Sequence, residues 1–214
     1  KMSKTRGNVI DPLEVTERYG TDAVRLALMM CAAPGTDIVL TEERLASARA
    51  FANKIWNAAR FLFLNMERSG VEPCIPEPAT LETLEDRWIF SRLNRCADIV
   101  NRAIAQYRYH EAAQTLWQFF WHEFCDWYVE IKKLRFQENS GLTGDWRNVL
   151  AAFEKALRLL HPLTPFLTEE LWQRLARGQE RHPASVAVAG YPRYDPAATD
   201  DAAEQAMATL QEIV

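Results

Sequence analysis

The chain has 214 residues, 48% hydrophobic and 25% charged, with a net charge of −4 and a pI of about 5.7. That apolar fraction supports a sizeable core and excludes a disordered or fibrous chain. The acidic balance excludes a generally basic nucleic-acid binder, so any such role has to come from a local patch. No apolar run approaches a membrane span, and the amino-terminal residues carry no signal-peptide pattern. The four cysteines (Cys31, Cys74, Cys96, Cys125) form no C-x-x-C pair and have no histidine at metal spacing. They read as reduced thiols of a cytoplasmic protein, with no disulfide frame and no metal site.

Residues 1–10 form a short cationic segment containing Lys1, Lys4 and Arg6. Two lysines three apart on a loop are able to close over a polyphosphate, although a terminal K-x-x-K also reads as a plain solvated end. Asp11 and Pro12 then predict a helix start, with Glu14 completing a box-like cap and Gly20 ending the helix. Residues 21–34 predict a second, largely buried helix, capped by Thr21 or Asp22. Asp22 and Arg25 stand at helix-pair spacing, and Asp22 could instead tether the preceding loop.

The stretch 41–68 predicts one long helix, with Thr41 as its cap and Glu42 and Glu43 favourable in the first turn. Phe51, Ile55, Ala58, Leu62 and Met66 fall on one side as a core stripe. Arg49, Asn53, Trp56 and Arg60 fall on the other, beside Asn57. Between Arg44 and Arg68 stand five basic residues (Arg44, Arg49, Lys54, Arg60, Arg68) and one acid, Glu67. A basic face carrying a flat aromatic suits single-stranded nucleic acid: charge for phosphates, a π surface for an unstacked base. Packing of Trp56 against a neighbouring helix is the competing expectation.

Residues 69–86 read as a proline-broken, acidic connection without evident chemistry. Residues 87–109 predict a helix with Ile89, Leu93, Cys96, Val100, Ala103, Ile104 and Tyr107 inward. Arg87, Arg95, Arg102 and Asp98 then make a solvated face. Residues 110–138 predict one central aromatic helix, lined by Leu116, Phe120, Phe124, Trp127, Ile131 and Leu134, with Trp117, Trp121 and Tyr128 on a second side. Asp126 and Glu130 are expected to pair with basic neighbours rather than act as an acid–base couple. His110 and His122 have no partner at ligand spacing. After a loop at 139–145, a helix over 146–160 points Val149, Leu150, Phe153, Leu157 and Leu160 inward. Another runs from Pro165 to about Arg177 with Phe166, Leu167, Leu171, Trp172 and Leu175. Residues 185–189 are the one plausible strand. The stretch 200–214 should be an acidic helix that avoids nucleic acid. The sum is an all-α helix bundle preceded by a short loop-helix linking segment, with at most one short strand near 186–189.

The segments KMSK, GNVIDP and YGTDAVRLAL strongly resemble the signature loop and following segment of class I aminoacyl-tRNA synthetases. GTDIVLTEERLASARAFANKIWNAARF, DRWIFSRLN, FCDWYVEIKK and HPLTPFLTEELW are similar to the valyl branch of that family. The isoleucyl and leucyl branches share the architecture and are the nearest alternative, ahead of a non-catalytic tRNA-binding module. Thr5-Arg6 departs from the family's usual serine but keeps a hydroxyl. The resemblance implies three parts: the loop and linking helices over 1–36, an anticodon-binding bundle over 37–180, and an extension over 181–214 leading toward a coiled-coil arm. It implies that Lys4, helped by Lys1 and shaped by Met2 and Ser3, contacts the phosphates of ATP during amino-acid adenylation. Arg49, Asn53, Trp56, Asn57 and Arg60 would meet the anticodon region of a valine-specific tRNA. ATP and Mg2+ would serve the full-length synthetase as cofactors, and this portion would need none. The family's H-x-G-H signature does not occur in these residues, so the nucleotide-binding core is expected upstream and the chain alone is expected to be inactive. It is expected to be monomeric.

Overall fold

The computed structural model describes residues 10–33, 35–68, 70, 75, 80–138, 143–177 and 183–213. Helix α1 (Pro12–Tyr19) starts as expected: the Asp11 carboxylate accepts from Leu13 N–H at 2.8 Å, and Pro12 occupies the first turn. Gly20 ends α1 and immediately precedes α2 (Thr21–Cys31) with φ 91, a left-handed conformation that a Cβ would strain. Helix α2 has no side-chain cap. Asp22 instead accepts from Leu167 N–H at 2.6 Å and Phe166 N–H at 3.4 Å, across the fold, and Arg25 donates to the Pro162 carbonyl at 3.0 Å. Both residues of the expected local pair therefore reach far along the chain, Asp22 to the start of a later helix and Arg25 to the turn before it.

Helix α3 (Glu42–Arg68) is capped by Thr41, whose hydroxyl accepts from Arg44 N–H at 3.3 Å. Phe51, Ile55, Leu62 and Met66 are buried as the periodicity requires. Ala59, rather than Ala58, completes the stripe at full burial.

Helix α4 (Leu84–Ala105) begins three residues before its expected start, with Thr83 as cap. The acids Glu85 and Asp86, read from sequence as part of a polar connection, are both buried. Asp86 accepts from Tyr128 Oη at 2.6 Å, Lys132 Nζ at 2.9 Å and Asn148 Nδ2 at 3.1 Å. Glu85 pairs with Arg135 and with Lys132. Burial of these charges is tolerable because each has a partner. Ile89, Leu93, Cys96, Val100 and Ala103 face the core, but Tyr107 is 75% exposed. The helix ends at Ala105, and Tyr107 takes a left-handed turn conformation (φ 59) that swings it outward.

The central aromatic segment is three pieces: α5 (Tyr109–Gln118), a π-helical stretch (Phe119–Val129) and α6 (Glu130–Glu138). A turn closed by i→i+5 bonds holds more residues than the α-helix's 3.6, so steps of four drift less around the axis. Leu116, Phe120, Phe124, Tyr128 and then Lys132 are accordingly all buried. The expected inward positions Trp127 and Ile131 are only half-buried, and Leu134 is exposed. Asp126 pairs with Lys54 at 2.9 Å and with His122 at 3.2 Å, and Glu130 with Lys133 at 2.5 Å.

Helix α7 (Thr143–Leu160) buries Val149, Leu150, Phe153, Leu157 and Leu160, and α8 (Pro165–Leu175) buries Leu171, Trp172 and Leu175. Phe166, expected inward, is 64% exposed, since Asp22 fixes its backbone at the helix start with the ring turned out. The expected strand at 185–189 is a 3-10 turn over Val186–Val188, capped by Ser185. Helix α9 (Asp201–Ile213) lies along α4. Asp200, just before it, and its own Asp201 and Glu204 pair with α4 arginines, among them Arg87 and Arg95 of the face expected to be solvated: Arg87 Nε–Asp200 at 2.7 Å, Arg92 Nη1–Glu204 at 3.3 Å, Arg95 Nε–Glu204 at 2.7 Å, and Arg95 with Asp201. Among the described residues no helix is long and apolar enough to cross a membrane.

Candidate nucleic-acid interface

With one side of α3 committed to the core, the remaining side is fixed in direction by 27 residues of continuous helix. Arg49, Asn53, Trp56, Asn57 and Arg60 are all exposed on it. At about 1.5 Å per residue the patch from Arg49 to Arg60 is about 16 Å long. The side chains of Asn53, Asn57 and Arg60 make no hydrogen bond or ion pair with other described residues. Their donors and acceptors stay available to a ligand. Arg49 spends one donor on the Arg18 carbonyl at 3.0 Å and retains the rest of its guanidinium fork.

The local positive charge is smaller than the count of basic residues on α3 implies. Lys54 is bound to Asp126 and lies 5.1 Å from the centre of the Trp121 ring. Arg44 donates to the Val39 carbonyl at 3.0 Å and to Cys31 Sγ at 2.8 Å. Besides Arg44, the α3 cations without an acidic partner among the described residues are Arg49, Arg60 and Arg68, the first two beside Trp56.

Trp56 is 37% exposed, so part of its ring is packed and part is open to solvent. It does meet a neighbouring helix, but through a cation: the Arg174 guanidinium lies 5.0 Å from its ring centre. Arg174 is itself held by Glu170, through Nε at 2.8 Å and Nη2 at 2.7 Å. Beside this pair a groove of about 460 Å³ opens between α3, α8 and the α1–α2 turn, with Arg49, Asn53, Trp56, Phe166 and Leu167 among its walls. Arg174 and Phe166 belong to the surroundings of this face but were not singled out for it from sequence. They lie more than 100 positions away, and nothing in local periodicity connects them to α3. Lys1, Met2, Ser3 and Lys4 lie outside the described residues.

Comparison with known proteins gives the family of the chain, through matches that flank α3 on either side. Residues 86–214 match the family described as the anticodon-binding domain of tRNA ligase, and residues 1–41 match class I tRNA synthetases (I, L, M and V). The chain is 64% identical over 214 residues to a valine–tRNA ligase of Solibacter usitatus, covering 100% of this chain and 23% of that protein. It is 50% identical over 199 residues to one of Geobacter sulfurreducens, covering 92% of this chain and 22% of that protein. The chain thus spans less than a quarter of the length of these relatives. Among solved structures, LeuRS of Agrobacterium radiobacter K84 in a ternary complex aligns with a TM-score of 0.68 at 22% identity, covering 94% of this chain and 23% of that one. Methionyl-tRNA synthetase of Mycobacterium tuberculosis in its free state aligns with a TM-score of 0.61 at 19% identity, covering 87% and 41%. Those two likenesses are of fold. With an all-helical bundle and a family match over more than half its length, the chain belongs to the anticodon-binding domain family of tRNA ligases.

Proposed function

We propose that this chain is the anticodon-recognising portion of a valine–tRNA ligase, a monomeric cytoplasmic enzyme that joins valine to its tRNA with ATP and Mg2+. The observation that carries the reading is the uncommitted polar face of α3, where Asn53, Asn57 and Arg60 have no partner among the described residues. Arg49 and Arg60 hold phosphates or fork onto base edges, and Asn53 and Asn57 read base edges. Residues 1–36 link this bundle to the catalytic core, 37–180 form the recognition bundle, and 181–214 lead onward. Lys4, with Lys1, Met2 and Ser3, meets the ATP phosphates, whose negative charge two lysines neutralise. The identity to valine–tRNA ligases along the whole chain supports valine over isoleucine or leucine.

The test is a titration of the chain with a tRNA(Val) transcript at several salt concentrations. Affinity should fall steeply as salt rises, because phosphate contacts release counterions. The Arg49→Ala, Arg60→Ala double variant should bind more weakly and with a shallower salt slope. Unchanged binding in that variant would remove α3 from the interface. ATP–pyrophosphate exchange with valine by the 214-residue chain alone should be undetectable, and measurable exchange would overturn the division of labour.

A further inference from the structure

We propose that the groove between α3, α8 and the α1–α2 turn holds one unstacked nucleobase of the bound RNA, against Trp56 and Phe166. This rests on the RNA-binding reading above and adds a second helix, α8, to the recognition surface. Two large aromatic rings at one groove are left open to solvent, Trp56 at 37% and Phe166 at 64% exposure. Such rings gain free energy when a flat π surface covers them, and a nucleobase of any identity supplies one.

The groove is organised before any ligand arrives. Glu170 holds Arg174 through one hydrogen bond and an ion pair to the same carboxylate oxygen, and Arg174 lies over the Trp56 ring at 5.0 Å. A side chain fixed in this way loses little further freedom on binding. The opposite wall is equally fixed, because Asp22 binds the backbone amides of Phe166 and Leu167 and so sets where α8 begins.

The charges in the groove admit a polyanion. Its two carboxylates are both engaged, Asp22 by backbone amides and Glu170 by Arg174. Arg49 still has free guanidinium donors for a phosphate, and Asn53 has a free amide that offers both a donor and an acceptor to a base edge. The groove is about 460 Å³ and opens to solvent, and a base can lie against its two rings only when unpaired and unstacked. The ligand is therefore an unpaired nucleotide, held by stacking, with Arg49 on its phosphate.

The experiment compares the chain with its Phe166→Ala, Trp56→Leu, Trp56→Tyr and Arg60→Ala variants in binding a tRNA(Val) transcript, together with 2′-hydroxyl acylation footprints of the RNA. Phe166→Ala and Trp56→Leu should each weaken binding about tenfold with the salt slope unchanged, because they remove stacking and no phosphate contact. Trp56→Tyr should retain most of the affinity. In Phe166→Ala one unpaired nucleotide should regain reactivity while the rest of the footprint persists. Phe166 is exposed, so its truncation does not touch the core. Unchanged affinity and footprint in Phe166→Ala would overturn the proposal. If Arg60→Ala weakens binding while Phe166→Ala and Trp56→Leu do not, the base-holding groove fails and the RNA reading stands. Failure of the unaltered chain to bind the transcript would overturn both.

Discussion

Asp22, the second residue of α2, caps the start of α8 by accepting from Leu167 N–H at 2.6 Å, across 145 positions of sequence. The carboxylate satisfies two amides that the first turn of α8 cannot bond internally. Asp22→Ala leaves them unsatisfied and is expected to lower stability by about 1 kcal/mol, seen as a lower urea midpoint. Asp22→Asn keeps an acceptor and should lose less. Burial outweighs the hydrogen bonds and the nearby Arg25 and His161 charges, so the carboxyl lies above its ordinary 3.8. The folded state therefore holds the proton more tightly. The contribution of Asp22 protonation is fully present below 3.8 and is lost as pH rises through the folded value. Urea midpoints measured upward from that pH should decline less in Asp22→Asn than in the unaltered chain. Parallel profiles would contradict the assignment.

The pair of Lys132 and Asp86 gives a second prediction. Both side chains are 1% exposed and 2.9 Å apart. Lys132→Met leaves the buried Asp86 charge without its cation, while Glu85 keeps Arg135, and should cost about 3–5 kcal/mol. The double variant Asp86→Leu, Lys132→Met should recover part of that loss, because no uncompensated charge then remains at Asp86. Thermal unfolding of the four-member cycle measures the coupling, and additive losses would show that the pair is not coupled.

Docking of α9 should depend on acid and salt. Burial pushes the Glu204 carboxyl up, but hydrogen bonds from Ser91 and Arg95 and the charges of Arg92 and Arg95 outweigh it, so the group lies below its ordinary 4.5. Its contribution is present above 4.5 and is lost as pH falls through the folded value. Glu204→Gln should raise amide exchange across 201–213 while leaving α3 unchanged, and high salt should act in the same direction. The buried Ala203 and Met207 keep α9 attached under neutral conditions. Equal protection of α9 in the variant would show that packing alone holds it.

Thiol chemistry offers a fourth check. Cys96 and Cys125 are buried and unpaired, and burial raises both thiols, Cys125 to about 12. Since the thiolate is the reactive form, both should resist alkylation in the native chain and react in urea. Rapid labelling of either in the folded protein, read by mass spectrometry, would contradict the placement.

The sequence by itself determined the elements that depend on neighbours along one helix. Periodicity gave the α3 stripe of Phe51, Ile55, Leu62 and Met66, and with it the opposite face from Arg49 to Arg60, because both follow from a single 3.6-residue repeat. The Asp11 and Thr41 caps were legible for the same local reason. The tertiary structure alone decided the partners of charged groups. Glu85, Asp86 and Lys132 look like surface residues in a list, since burial of a charge is unfavourable until its partner is in place. The arginines of α4 look solvated until α9 folds back over them. The π-helical turns that carry Lys132 to Asp86 broke the repeat on which the inward positions of Trp127 and Leu134 were inferred. At the candidate interface the division is the same: α3 announced its own exposed face, and only packing of α8 set Arg174 over Trp56 and left Phe166 beside the groove.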